Sequence, residues 1–278
     1  DMWNDDSIYD RILVDVSVNP DPPDALGIRP NIDPSETREL VIGSFSKDAI
    51  FYAYDRTDGT FLYARPTAYQ NVISGYDGTT GAYITNPNAI MIADESHERT
   101  ICRENRQIPQ GAYSPLTNAY YVPAFNGPCS VMRVNSLTPS IITGYNTSYI
   151  ATVPSPAEQL GQPEAIDVTT GKTLWRLERE APLYGMLTTG GGLLFAADTN
   201  RRFYAIDQWT GETLWQTILN GASDMAPISF AADGRQYIAV LSPSGTQAAA
   251  QHAGQLGIRA NTGVGDIGHT LFVFALPE

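Results

Sequence analysis

Basic residues are scarce in this chain: 17 lysines and arginines stand against 30 aspartates and glutamates, a formal net charge of −13. Binding to nucleic acid needs a basic excess to release counterions, and docking on an anionic membrane surface needs a polybasic patch. Neither is present, so neither partner is expected. No run approaches the roughly 18 consecutive apolar residues of a membrane span. Asp1 to Asp6 has neither a basic nor an apolar leader-like stretch, so any signal peptide is expected to be already removed. Helix signals are lacking as well, because no window of about 12 residues combines a 3.6-residue period with a cap. The three histidines, His97, His252 and His269, are too scattered for a metal spacing and read as surface or loop residues. No nucleophile elbow, P-loop or dinucleotide fingerprint occurs. Cysteine is limited to Cys102 and Cys129. Two buried thiols are one reading, but both sit in Pro/Asn/Gly-rich segments, which favours a disulfide and an oxidising compartment.

What the chain does have is turn and strand chemistry: 24 Gly, 19 Pro and 15 Tyr, with 42% hydrophobic residues to fill a core. Self-comparison is the most informative step. Residues 165 to 175, Ala-Ile-Asp-Val-Thr-Thr-Gly-Lys-Thr-Leu-Trp, recur 40 residues later as Ala-Ile-Asp-Gln-Trp-Thr-Gly-Glu-Thr-Leu-Trp, identical at eight of eleven positions. An older copy runs from Tyr52 to Tyr63, with Tyr63 near the Trp position. Each unit reads as a strand ending in Asp, a Thr-Gly turn in which Gly takes positive φ, and a second strand carrying Trp. Two further strand patterns, 191 to 198 and 202 to 207, fill the interval. A super-period of about 40 residues built from short strands describes four-stranded propeller blades, with a flat Trp wedged between neighbours. Strands are also expected at 39 to 45, 50 to 55, 119 to 125, 227 to 242 and 270 to 276. The segments 20 to 34, 64 to 107 and 242 to 268 are expected to be long loops, a load that suggests a site on one face.

The tandem Ala-Ile-Asp-x-x-Thr-Gly-x-x-x-Trp units, the Phe51 to Gly59 segment, the Asp233 to Val240 hairpin and the opening Asp1 to Asp6 box together resemble the C-terminal half of the pyrroloquinoline quinone-dependent alcohol dehydrogenases, the methanol and ethanol dehydrogenase type. The resemblance runs through most of the chain, to the closing strand at 268 to 274. It implies an all-β, eight-bladed β-propeller of which residues 1 to 278 supply the C-terminal part, four to five blades. The N-terminal half would come from a separate chain or a segment cut away.

The resemblance also implies a chemistry. A small alcohol would lose its hydroxyl proton to a carboxylate and its hydride to pyrroloquinoline quinone, held beside Ca2+ or a lanthanide that polarises the quinone carbonyl. Electrons would leave to a cytochrome c, in the periplasm. Asn4 falls where the family has its catalytic, metal-binding aspartate. An amide can ligate a metal through oxygen but cannot take a proton, so the base becomes Asp5 or Asp6. Asp6 falls on the extra aspartate of lanthanide-dependent members, giving Asn4 and Asp6 as metal ligands. Lys47 falls where the family places a Lys or Arg against the quinone oxygens, where a cation would offset the charge arriving with hydride. Tyr184 falls where the family has a Trp near the cofactor. The departure of residues 245 to 251 from the family's aromatic-Gly pattern argues against methanol as substrate. The rival reading is a non-catalytic propeller scaffold of the outer-membrane assembly type, which shares the Trp repeat but needs neither Lys47 nor the acidic box.

Overall fold

A computed structural model describes residues 10–91, 97–103, 110–140, 144–153, 160–223, 225–242 and 269–276, where the regular structure is strand throughout apart from a 3-10 turn at Pro87–Ala89. The chain divides into two compact units. Unit 1 comprises Asp1–Ile108, Asn126–Glu158 and Thr169–Lys172, and unit 2 comprises Pro109–Phe125, Gln159–Val168 and Thr173–Glu278.

Unit 1 is built on a five-stranded antiparallel sheet of β1 (Ile12–Ser17), β2 (Gly27–Ile28), β3 (Thr37–Gly43), β4 (Ile50–Asp55) and β5 (Phe61–Pro66), in the order β1-β3-β4-β5-β2. The central strands β4 and β5 are buried almost throughout, which is why their sequences run apolar and aromatic on both faces. One face packs on a cluster that takes in Val72, Tyr76, Met91, Ile101 and Met132. Tyr76 comes from a ribbon of β6 (Ile73–Tyr76) and β7 (Tyr83–Thr85), Ile101 and Met132 from a sheet of β8 (Arg99–Ile101), β11 (Cys129–Ser140) and β12 (Gly144–Val153), and Val72 and Met91 from the connecting segments. Residues 20 to 34 and 64 to 107, expected as loops, therefore contain β2, β6, β7 and β8. These strands are two to four residues long, too short to carry a visible alternation. The third expected loop lies outside the described residues from 243 to 268.

Cys102 and Cys129 form the expected disulfide. It joins the end of β8 to the start of β11, whose Ser130 pairs with Ile101. Closing a segment of 27 residues is worth roughly 3 kcal/mol on the chain-entropy account.

Unit 2 holds three sheets. The first, β14-β13-β10-β9, is made of β9 (Ala112–Ser114), β10 (Ala119–Val122), β13 (Glu164–Asp167) and β14 (Thr173–Arg176). The second is the unbroken meander β15 (Leu183–Thr188), β16 (Leu193–Asp198), β17 (Arg202–Asp207) and β18 (Thr213–Ile218), and the third is β19 (Ile228–Ala232), β20 (Arg235–Ser242) and β21 (Thr270–Phe274). One cluster seals the first sheet to the second through Tyr121, Trp175, Leu183 and Ile206. Another seals the second to the third through Phe203, Ile238, Val240 and Phe274. The opposite face of the third sheet is apolar and open among the described residues: Ile228, Phe230, Leu271 and Val273 are 40 to 62% exposed, and their ladder partners there are Ala239, Tyr237 and Leu241.

The Asp-x-x-Thr-Gly turn takes the same geometry at two places. The Asp207 carboxylate accepts from Trp209 N at 2.9 Å, Thr210 N at 2.9 Å and Thr210 Oγ1 at 3.1 Å, while Gly211 takes φ +75 and donates to Asp207 O. Asp77 and Gly81 repeat it in the β6–β7 ribbon. Hydrogen bonds from Thr80 and Thr79 hold the Asp77 carboxyl below its ordinary value. At Asp55 burial pushes upward, but bonds from Thr57 and Arg38 outweigh it and the net shift is also down. A carboxyl lowered by folding stabilises above its unfolded pKa, here near 3.8, and the contribution disappears as pH falls through the lowered value. The melting temperature should therefore fall steeply below about pH 4. Asp77→Asn should flatten that fall, and an unchanged acid limb in thermal scans from pH 2 to 6 would exclude the turn carboxylates as its source.

Candidate functional site

Between β3 and β4 lies a polar segment that a surface connection would expose, yet Ser44, Ser46, Lys47 and Asp48 are all less than 9% exposed. Local chemistry explains the conformation. The Asp48 carboxylate accepts from Ile50 N at 3.0 Å and from the Tyr52 hydroxyl, which meets the Tyr76 hydroxyl at 2.7 Å. Ala49 is thereby held at φ 57, a conformation that alanine resists, and its carbonyl accepts from Thr67 N at 2.7 Å and Thr67 Oγ1 at 2.9 Å. Phe45 closes the segment by stacking on Tyr52 with centroids 5.5 Å apart, and Arg11 lies over Phe45. Burial first, then the Asp48 charge, push the Tyr52 hydroxyl well above its ordinary pKa, so it stays protonated and available as a donor. The same two causes raise Tyr54. The segment thus presents a lysine and two serine hydroxyls in a water-poor setting built on a fixed hydrogen-bonded chain.

Lys47 is a buried residue of unit 1, not the surface residue that a lysine ahead of a strand ordinarily is. Tyr184 belongs to unit 2, where it is 1% exposed in β15 beside a bulge at Gly185. Gly185 takes φ +53, and a Cβ there would lie 2.3 Å from Ala226 N, so the position admits only glycine. Asn4, Asp5 and Asp6 lie outside the described residues. Among the described residues no three Asp, Glu, His or Cys side chains converge as a metal group. His97 and His269 are exposed, and His252 lies outside the described residues. Asp48, Tyr52 and Tyr76 escaped the sequence analysis, which read Tyr52 only as part of a strand. The available signal was the charged Lys47-Asp48 pair set directly against an aromatic strand.

The segment thus carries an amine and two hydroxyls, all buried and all engaged within the protein. Residues 157–238 match the family model for the β-propeller domain of glucose, ethanol and alcohol dehydrogenases, PQQ. The chain is 28% identical over 250 residues to 1-butanol dehydrogenase (cytochrome c) from Thauera butanivorans, covering 86% of this chain and 34% of that protein. It is 26% identical to lanthanide-dependent methanol dehydrogenase from Methylacidiphilum fumariolicum, covering 88% of this chain and 38% of the relative. A europium-containing methanol dehydrogenase superposes with a TM-score of 0.78 at 23% identity, over 99% of this chain and 49% of that one. The chain thus spans about a third of the length of the curated relatives it matches. It is an all-β, partial propeller, as the repeat implies.

Proposed function

We propose, for a chain whose homologues are pyrroloquinoline quinone-dependent alcohol dehydrogenases, that it contributes to a periplasmic enzyme oxidising an alcohol, with cytochrome c as electron acceptor. The buried Lys47 segment carries this reading: enclosing a lysine beside a carboxylate is a folding cost for which a protein-binding scaffold has no use. Bound pyrroloquinoline quinone, with Ca2+ or a lanthanide, supplies the hydride acceptor and the Lewis acid. Lys47 supplies a preorganised cation against the quinone oxygens, with Ser44 and Ser46 as further donors on its segment. The Asp48–Tyr52–Tyr76 chain keeps that segment from collapsing toward solvent when charge builds nearby. By the resemblance, Asp5 or Asp6 would take the hydroxyl proton, Asn4 and Asp6 would be the metal ligands, and Tyr184 would serve the cofactor.

The remaining blades are the second requirement. The open apolar face of the β19-β20-β21 sheet repeats the kind of surface that the other sheets of unit 2 bury against a neighbour. In our reading its cover is a further blade from the N-terminal half, on the same chain or another.

The test is made on the whole protein reconstituted with quinone and Ca2+ or La3+. An absorbance band beyond the aromatic region and dye-linked alcohol oxidation are expected together. Asp6→Ala should abolish metal-dependent oxidation, and Asp5→Ala should lose it only if Asp5 is the base. A protein that takes up no quinone and oxidises no alcohol would return the scaffold reading to first place.

A further inference from the structure

Several of the described arginines are held in ion pairs. Arg56 reaches Asp15 at 2.8 Å and Glu39 at 3.1 Å, Arg65 reaches Asp24 at 3.2 Å, Arg176 reaches Glu164 at 3.0 Å, and Arg38 reaches Glu36 and Asp55. Arg179 and Arg202 differ in standing together at one place. Neither has a carboxylate within ion-pair distance among the described residues, although the chain carries 30, and both line one open cleft of about 590 Å³ on the β17–β18 face of unit 2. Two guanidinium groups on one face repel each other unless an anion lies between them.

The cleft also holds the groups in place. The Arg179 guanidinium lies 4.5 Å over the Tyr204 ring and donates from Nη2 to Thr213 Oγ1 at 3.0 Å, while its Nε is buried without an acceptor. The carboxylate of Asp198, bound to Tyr204, is 2% exposed and already accepts from Tyr204 OH at 2.7 Å, Asn200 N and Arg202 N. It is turned inward as a structural acceptor and does not fill the cleft. Along the same face of the edge strand stand Leu214, 54% exposed, and Ile218, 65% exposed, the latter in a depression that Arg202 also lines.

We infer that this face binds a small organic carboxylate with an apolar chain. The carboxylate bridges Arg179 and Arg202, each able to offer paired N–H donors, and the chain lies along Leu214 and Ile218. The inference does not depend on the quinone reading, since every residue it uses belongs to unit 2 and none is assigned to that chemistry.

Isothermal titration of the whole protein with sodium hexanoate, at constant ionic strength, reads the site directly. Saturable binding is expected, with inorganic phosphate at least tenfold weaker because it has no apolar body. Arg202 is exposed and outside the core, so Arg202→Gln should keep the melting temperature while weakening hexanoate at least tenfold, and Arg202→Lys should recover part of the loss. Lys47→Met should leave hexanoate binding unchanged. Four results would overturn the inference: no saturable binding, equal affinity for phosphate, full affinity in Arg202→Gln, or loss of binding in Lys47→Met.

Discussion

Lys47→Met is expected to lower alcohol turnover of the quinone-loaded protein by roughly 10²- to 10³-fold, the scale of removing one preorganised charge partner of a reacting group. The substitution keeps chain length and removes the charge. Lys47→Arg keeps the charge and should retain most of the activity, because only a cation is required at that place. Burial makes the control important. Lys47 is 8% exposed and Asp48 beside it 3%, so a small side chain such as Ala would leave a carboxylate enclosed next to a void and confuse folding with function. Two readings separate the effects: quinone uptake followed by absorbance, and the melting temperature of the unloaded protein. A charge role predicts a loss of turnover in Lys47→Met that exceeds its loss of stability. Full turnover in Lys47→Met would remove Lys47 from the site whatever the fold.

Trp175→Ala is expected to cost about 3 to 5 kcal/mol, the range for truncating a buried Trp or Phe. Trp175 is 8% exposed, stands 5.7 Å from Tyr121 ring to ring, and donates from Nε1 to Gln208 O at 2.9 Å. Tyr121 also donates to that carbonyl, at 3.0 Å, so truncation leaves a cavity and no orphaned acceptor. Gly211 lies under the ring: a Cβ there would sit 3.0 Å from Trp175 Cδ2, which joins the glycine of the turn to the Trp of the preceding repeat in one packing unit. Trp215 occupies the same repeat position but is 42% exposed, touching Phe203 and Phe274 at its edge. Trp215→Ala should therefore cost far less. Denaturant titrations of the two variants decide it, and equal losses would contradict the wedge.

The repeat was legible because its physics is local. An Asp that accepts from the backbone two and three residues on, a Thr hydroxyl on the same carboxylate and a Gly at positive φ form a turn without help from the rest of the chain, as at both Asp207 and Asp77. The Tyr63 position shows the same logic one step weaker. Its ring lies against Gly171, with an added Cβ 2.9 Å from Cε2, as Trp175 lies against Gly211. An aromatic in register with the Trp column thus does the same packing work. The disulfide was legible for a related reason, since two cysteines in one chain leave a single internal pairing.

Short strands and buried polarity were not local. The strands β2 and β8 exist because a longer strand elsewhere offers an edge, as β5 does for β2 through Gly27 with Ala64 and Ile28 with Tyr63, and β11 for β8. Nothing in two or three residues encodes that offer. Lys47 was marked by its position in a recognisable segment, but its burial with Asp48 follows from Tyr52 and Tyr76, the latter 28 residues beyond Asp48 in sequence, meeting on one hydroxyl contact. The cleft of Arg179 and Arg202 likewise needed the strand register that places Arg202 opposite Ile218 and Tyr204 opposite Gln216. Sequence by itself determined the strand-turn-strand unit, its Trp or Tyr column and the oxidised cysteine pair, because each depends on neighbours in the chain or on composition. Tertiary structure alone decided which polar groups are sealed from water and which cations gather in one cleft, because burial and side-chain neighbourhoods are set by residues far apart in sequence.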